Sequence, residues 1–479
     1  MQLTTTLFVA LATTATAQRV VPVHIKRDHS AKVPSLNSRM HRRAAPFDEV
    51  LANNVTTGAY FATVEVGSPG QSITVHVDTG SSDVWVLAKD SDLCVSTRKQ
   101  TEYGYCLDTF DRSASSSYSV VDSGGFEIEY LDGSGASGDY FTDNINVGTL
   151  NVKGVQMGLA RKSTSSWGML GIGYGSNVAS STPYLSIIDQ MLKQGLIGIK
   201  AYSLYLNDLE ASTGTILFGG IDTEKYIDTL KTVPILPDPR TGNITHFSVA
   251  LSSLSSVKGD GSKTEFLTEQ LEVILDSGTT LTYLPKTTAR KIYTALNAYD
   301  DSARYPLVYV DCALRTADPA QVLRYQFGAN GPIIEVSLAD IIFDDIKPFI
   351  QSGDLVLPKT LGFSPDNACS LGLQPSSEGD VHLLGDSFLR SAYVVYDLTH
   401  NTVSMAQSNM NSTKENIIEI AASATGIPSA TGAGAPPKAT SSSANSAVGL
   451  ARSGSGWEAA VMAGAAGLFT VAGGVWFVL

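Results

Sequence analysis

The stretch HVDTGSSDVWVL, residues 76 to 87, sets a carboxylate at the end of a β-branched run, directly before a glycine turn. Val75, Val77, Val84 and Val86 flank Asp78, so the strand reads as buried and the acid with it. Desolvation disfavours the charged form of a buried carboxyl that has no partner. The stretch therefore implies a second acid elsewhere in the chain.

Asp-Thr/Ser-Gly occurs at Asp78-Thr79-Gly80, Asp122-Ser123-Gly124 and Asp276-Ser277-Gly278. Context separates them. VHVDTGSSDVWVL and VILDSGTTLTYLP share hydrophobic-x-hydrophobic-Asp-Thr/Ser-Gly followed by two hydroxyl residues, then an apolar run with an aromatic. After Asp122 and its glycine come Gly125 and Phe126, with no hydroxyl, so Asp122 reads as an ordinary turn acid. Each half also carries a later apolar-glycine segment, WGMLGIGYG with Leu170-Gly171 and VHLLGDSFLR with Leu384-Gly385. The pattern is an internal duplication. A phosphate-loop reading of GIGYG lacks the lysine and the following helix.

Between Ala44 and Ala406 short β-rich runs dominate, among them AYFATVEVG, ITVHVD, FEIEYL, YSLYL, GTILFGG, LEVILD and AYVVYDL. Helical pattern is confined to LSIIDQMLKQG and KTTARKIYTALNAY. The fold class expected is all-β with a few short helices, and the length suits two cores better than one.

With these motifs the chain resembles the pepsin-type (family A1) aspartic proteases, in their secreted fungal candidapepsin-like and yapsin-like branch. The resemblance covers the folded region and implies two β-rich lobes, residues 44–220 and 221–406, with a substrate cleft between them. It implies that Asp78 and Asp276 are the catalytic pair, meeting across the lobe interface with a shared proton and water. Gly80 and Gly278 permit tight turns against the carboxylates. By the same resemblance Thr79 and Ser277 tie the two loops together, while Ser81 and Thr279 hydrogen-bond the outer carboxylate oxygens. FEIEYLDGSGASGDYF is a hairpin candidate and resembles the family flap, with Tyr130 as its tyrosine, Trp85 as that tyrosine's partner, and Asp132-Gly133 at the tip. Leu131 stands where the family usually has glycine. Asp132 falls where fungal relatives carry an acid associated with accepting Lys or Arg before the cut bond. An exposed turn aspartate is the plainer reading of that residue.

The ends carry their own signals. MQLTTTLFVALATTATA, residues 1–17, has an apolar middle and a small-residue end, the pattern of a secretory signal. Residues 18–43 hold seven Lys/Arg against one acid and close on Arg42-Arg43, which reads as a basic propeptide cut after Arg43. Taking its +6 from the chain's −13 leaves about −19, so the segment is suited to lie in an acidic cleft as an inhibitor. From 407 to 457 Ser, Thr, Ala, Gly and Pro take over, and the tract reads as an extended stalk. Residues 458–479 form a terminal apolar tail with no basic residue after it, matching a GPI-anchor signal with Asn445 as the attachment candidate and Ser453-Gly454 competing. A tail-anchored helix is the competing reading. The expected destination is the cell surface, at the plasma membrane or in the wall.

Cys94, Cys106, Cys312 and Cys369 are an even set in a chain expected to be secreted, and four cysteines allow three connectivities. The close pair Cys94–Cys106 would clip a polar loop, and Cys312–Cys369 would close a longer one. No CxxC or HExxH occurs, so neither metal nor cofactor is expected. Sequons stand at Asn54, Asn243 and Asn411. The reading is an anchored endopeptidase, active at acidic pH on polypeptides and monomeric by family expectation. An inactive surface or wall glycoprotein with a protease fold is the alternative, but both aspartates and both following hydroxyls are present. A serine hydrolase lacks a visible nucleophile elbow.

Overall fold

A computed structural model describes residues 19–27 and 59–432, apart from 212, 303, 306, 354 and 377–380. Strands dominate, in sheets of thirteen, eight, four and two. The duplication seen in the sequence is a duplication of strand pairing. In the first half Gln71–Asp78 runs parallel to Gly168–Gly171, with Asp78 opposite Gly171, and Val84–Leu87 pairs antiparallel to the same segment. In the second half Leu271–Leu275 runs parallel to Leu383–Leu384, and Thr282–Pro285 pairs antiparallel to it. Each acid thus leaves a buried central strand at its C-terminal end, where the next residues must turn.

A shared sheet joins the halves. Ala201–Tyr205 and Thr213–Phe218 from the first half lie beside Ala392–Asp397, Thr402–Ser408 and Tyr226–Pro234 from the second. Ala392–Asp397 is buried on both faces, so it reads as a continuous apolar run rather than an alternating one. Its alternate residues still part company. Val394 and Tyr396 face inward with Tyr202, Leu204 and Phe247, whereas Tyr393 and Val395 belong to a second cluster on the other side.

One boundary expectation needs correction, and the described part of the leader joins the sheet. The segment 18–43 supplies an integral strand: Val21–Arg27 pairs with Thr213–Phe218 on one edge and with Tyr60–Val66 on the other, burying Val21, Val23 and Ile25. Alternation of apolar and polar residues, hidden in a basic composition, is the reason. This described part of the leader lies in the sheet, not along the dyad. Likewise the fold does not stop at 406, and the expected stalk does not start at 407. Ile417–Glu419 pairs with Gly220–Asp222, and Thr431 exchanges amide hydrogen bonds with Leu230 and Thr232 at 2.9 and 2.8 Å. Ile420 and Ile427 fill the cluster of Tyr205, Ile221, Leu230, Tyr393 and Val395. A few isoleucines in a polar tract suffice, since burying each contributes about 1.5–3 kcal/mol.

Both disulfides form in one of the three connectivities, Cys94–Cys106 and Cys312–Cys369, with Cα separations of 4.9 and 5.1 Å. The first encloses the short helix Thr97–Tyr103. Among the described residues no helix is long and apolar enough to cross a membrane. Asn243 and Asn411 are exposed. The signal segment, Arg43, Asn54, Asn445 and the terminal tail lie outside the described residues.

Candidate active site

Asp78 and Asp276 are brought together by a reciprocal set of hydrogen bonds between loops 198 residues apart. The Thr79 amide donates to Ser277 Oγ (3.2 Å) and the Ser277 amide donates to Thr79 Oγ1 (2.9 Å). Each hydroxyl then donates across the interface to a main-chain carbonyl, Thr79 Oγ1 to Leu275 (3.0 Å) and Ser277 Oγ to Val77 (3.1 Å). Both side chains are buried, so every donor and acceptor is satisfied where water cannot substitute.

Above this tie each carboxylate receives the same two donors. The Gly80 amide donates to Asp78 Oδ1 at 2.7 Å and the Gly278 amide to Asp276 Oδ1 at 2.8 Å. Ser81 Oγ donates to Asp78 Oδ2, and Thr279 Oγ1 to Asp276 Oδ2 at 2.6 Å. The glycines are required by the opposite half. A Cβ on Gly80 would stand 2.6 Å from Asp276 Oδ1, and one on Gly278 would stand 2.4 Å from Asp78 Oδ1. Any side chain there would push the carboxyls apart.

The two carboxyls lie within hydrogen-bonding reach of each other. Burial, and then the neighbouring Asp276 carboxylate, push Asp78 well above the ordinary carboxylate range. Such a pair gives up its first proton far more readily than its second, and over the interval between the two steps it holds one proton. One member is then a base and the other an acid, which is the requirement for activating and steering a water molecule.

The segment expected as the flap is a hairpin. Ser119–Glu129 pairs with Gly135–Val147, and the tip is closed by the Tyr130 amide on the Ser134 carbonyl (2.8 Å) and the Gly133 amide on the Tyr130 carbonyl (2.9 Å). Gly133 supplies the left-handed residue (φ 72°), so Leu131 is accommodated without strain and points outward. Trp85 Nε1 donates to the Tyr130 hydroxyl at 2.8 Å. Asp132 sits in the tip, and its Oδ1 accepts from the Ser134 amide at 2.8 Å. Asp122 is exposed on the edge strand.

Residues that sequence reasoning passed over also surround the pair. Asp386, one residue beyond Leu384-Gly385, is completely enclosed, and burial pushes its carboxyl well above the ordinary range. Its sequence signal was an acid inside an otherwise apolar segment. Asn177 and His246 stand beside Gly80 and carried no signal, because nothing local joins them.

The family described as eukaryotic aspartyl protease matches residues 59–408. The chain is 40% identical over 397 residues to a probable aspartic-type endopeptidase OPSB of Arthroderma benhamiae, covering 82% of this chain and 76% of that one. To the probable aspartic-type endopeptidase opsB of Aspergillus oryzae it is 39% identical over 420 residues, covering 86% and 81%. With aspartic proteinase yapsin-3 of Saccharomyces cerevisiae the identity is 30% over 437 residues, covering 87% and 79%. The chain belongs to the pepsin-type eukaryotic aspartyl proteases. It is an aspartic-type endopeptidase, a peptide hydrolase of the fungal kind.

Proposed function

We propose that this endopeptidase cuts peptide bonds at acidic pH with a water held between Asp78 and Asp276. The carrying observation is the matched pair of buried carboxyls, each given the same two donors and each pressed against the other half's glycine. The ionised carboxylate takes a proton from the water as its oxygen attacks the peptide carbonyl carbon. The protonated carboxyl gives its proton to the carbonyl oxygen, so a neutral tetrahedral diol forms. Collapse returns a proton from the diol to the dyad, and the leaving nitrogen receives one as the C–N bond breaks. The flap closes over this centre and excludes bulk water. The test is Asp78→Asn and Asp276→Asn, each expected to abolish peptide cutting while binding of a statine-type mimic shows an intact cleft. Retained cutting in either variant ends the reading.

The finer assignment is a secreted enzyme tethered to the cell surface by a GPI anchor. It is supported by the signal-like residues 1–17, the sequons at Asn54, Asn243 and Asn411, and the terminal apolar tail 458–479. Deleting 458–479 should release the enzyme into the medium, and surface retention of that variant would refute the anchor. Asp132 at the flap tip supports tolerance of Lys or Arg before the cut bond. An unchanged preference in Asp132→Ser removes that idea. The leader 18–43 acts as an inhibitor released by cutting after Arg43, supported by its charge. Equal activity before and after that cut would exclude it.

A further inference from the structure

The turn after the first apolar-glycine segment crosses from one half of the molecule to the other. Ser176 Oγ donates to the Ile244 carbonyl at 3.0 Å, and the Tyr174 hydroxyl donates to Asn401 Oδ1 at 3.1 Å. The Tyr174 ring packs on Phe247 with centroids 5.2 Å apart. Asn177 stands in the middle of this seam. Its Nδ2 is 3.3 Å from the Gly80 carbonyl and 3.2 Å from His246 Nε2, and His246 Nδ1 is 2.8 Å from Thr245 Oγ1.

These contacts determine the protonation of the histidine. A carbonyl only accepts, so the amide nitrogen of Asn177 must face Gly80. Its second N–H then points at His246 Nε2, which must accept and is unprotonated. The ring proton sits on Nδ1 and is donated to Thr245 Oγ1. Should Nε2 gain a proton, two donors face each other. Turning the amide over to offer its oxygen takes the donor away from Gly80, so one bond is lost either way. Gly80 matters because its own amide is a donor to Asp78 Oδ1.

We propose that Asn177 and His246 form a proton-sensitive bridge between the halves that positions Gly80, and through it Asp78, and that opens when His246 becomes a cation. Asn177 and Thr245 meet the ring by hydrogen bonds, and Asp276 and Asp238 act on it through charge. Burial lowers the pKa of His246 from its ordinary value, and the two acids oppose that shift. Opening therefore falls below the pH at which a free histidine takes up its proton. Asn177 and His246 are positioning residues, and their role rests on Asp78 and Asp276 being the reacting pair.

The experiment measures kcat and KM against pH for the wild type, Asn177→Ala, His246→Gln and Asp78→Asn, with active sites counted by a tight statine-type inhibitor so that misfolded protein is excluded. The wild-type kcat should step down on acidification, while KM moves little. His246→Gln offers an accepting oxygen that takes up no proton, so it should hold the upper rate to lower pH. Asn177→Ala should sit on the lower rate throughout, roughly three- to tenfold down, a loss in keeping with imperfect placement of a reacting group. Both variants should lack the step. A step that persists in either variant, or an Asn177→Ala enzyme with wild-type kcat, overturns the bridge. Activity surviving in Asp78→Asn would instead overturn the dyad, so the two failures are distinguishable.

Discussion

Thr79 and Ser277 each give an amide hydrogen to the other's hydroxyl oxygen, at 3.2 and 2.9 Å, across the seam between the two halves. Neither hydroxyl touches the space where a peptide would be cut, yet together they decide whether the carboxyls above them meet. Removing one partner leaves a buried amide unsatisfied, at a cost of about 1–3 kcal/mol. Thr79→Val should therefore lower both kcat and the unfolding midpoint. Ser277→Ala should do the same, and the double variant should cost less than the sum. Urea unfolding and turnover together check this. Additive losses would mean that the two residues act independently.

The flap makes a different kind of prediction. Tyr130→Phe keeps the ring but leaves the fully buried Trp85 Nε1 without its acceptor. We expect kcat/KM to fall about tenfold, equivalent to ~1.4 kcal/mol, within the lower half of the range for an unsatisfied buried donor. Leu131→Gly should change kcat/KM little, because the left-handed position of the tip is Gly133. A large effect at Leu131 with none at Tyr130 would contradict this geometry.

Stability should depend on pH in both directions. Burial, against the Ser370 hydrogen bond, pushes Asp345 up to about 7, and burial also raises Asp386. An acid with a higher pKa folded than unfolded holds a proton that unfolding releases, so stability falls as pH rises from ~4 toward that value. Burial lowers His76 to about 4. Its neutral form is favoured in the fold, so its stabilising contribution is lost as pH falls from ~6.5 toward that value. Asp345→Asn should flatten the loss between about pH 4 and about pH 7 by on the order of a few kcal/mol, read by urea midpoints. An unchanged slope would show that Asp345 titrates normally.

The tail after Ser408 is part of the folded enzyme. A chain ending at Gly432 should melt like the full chain. One ending at Ser408 uncovers Ile221, Leu230, Tyr393 and Val395 and loses the two buried isoleucines, Ile420 and Ile427. The expected loss is roughly 3–6 kcal/mol, from about 1.5–3 per side chain. Equal melting temperatures for the two truncations would show that the tail only rests on the surface.

Much of the centre was legible because its signals are local and repeated. Two strands ending in Asp-Thr/Ser-Gly with hydroxyls after them, and two apolar-glycine segments, announced both acids and the duplication. Asp122 was separable on the same ground, since it lacks the hydroxyl that supplies the outer donor. The boundaries were harder to read. Composition called 18–43 a basic leader and 407–457 a stalk, yet alternate burial in VPVHIKR and a few isoleucines place parts of both in the body. Composition averages over a segment, whereas strand pairing asks only that every second side chain find cover.

By itself the sequence determined which side chains would need one another: two buried carboxyls, their hydroxyl and glycine companions, and a flap tyrosine. Each of those needs follows from desolvation or steric limits that act within a few residues. Only the tertiary structure decided who meets across the seam: Gly80 against Asp276, Gly278 against Asp78, Asn177 between Gly80 and His246. Such contacts join residues up to about two hundred positions apart. Their geometry comes from how whole sheets pack, which no short stretch of chain encodes.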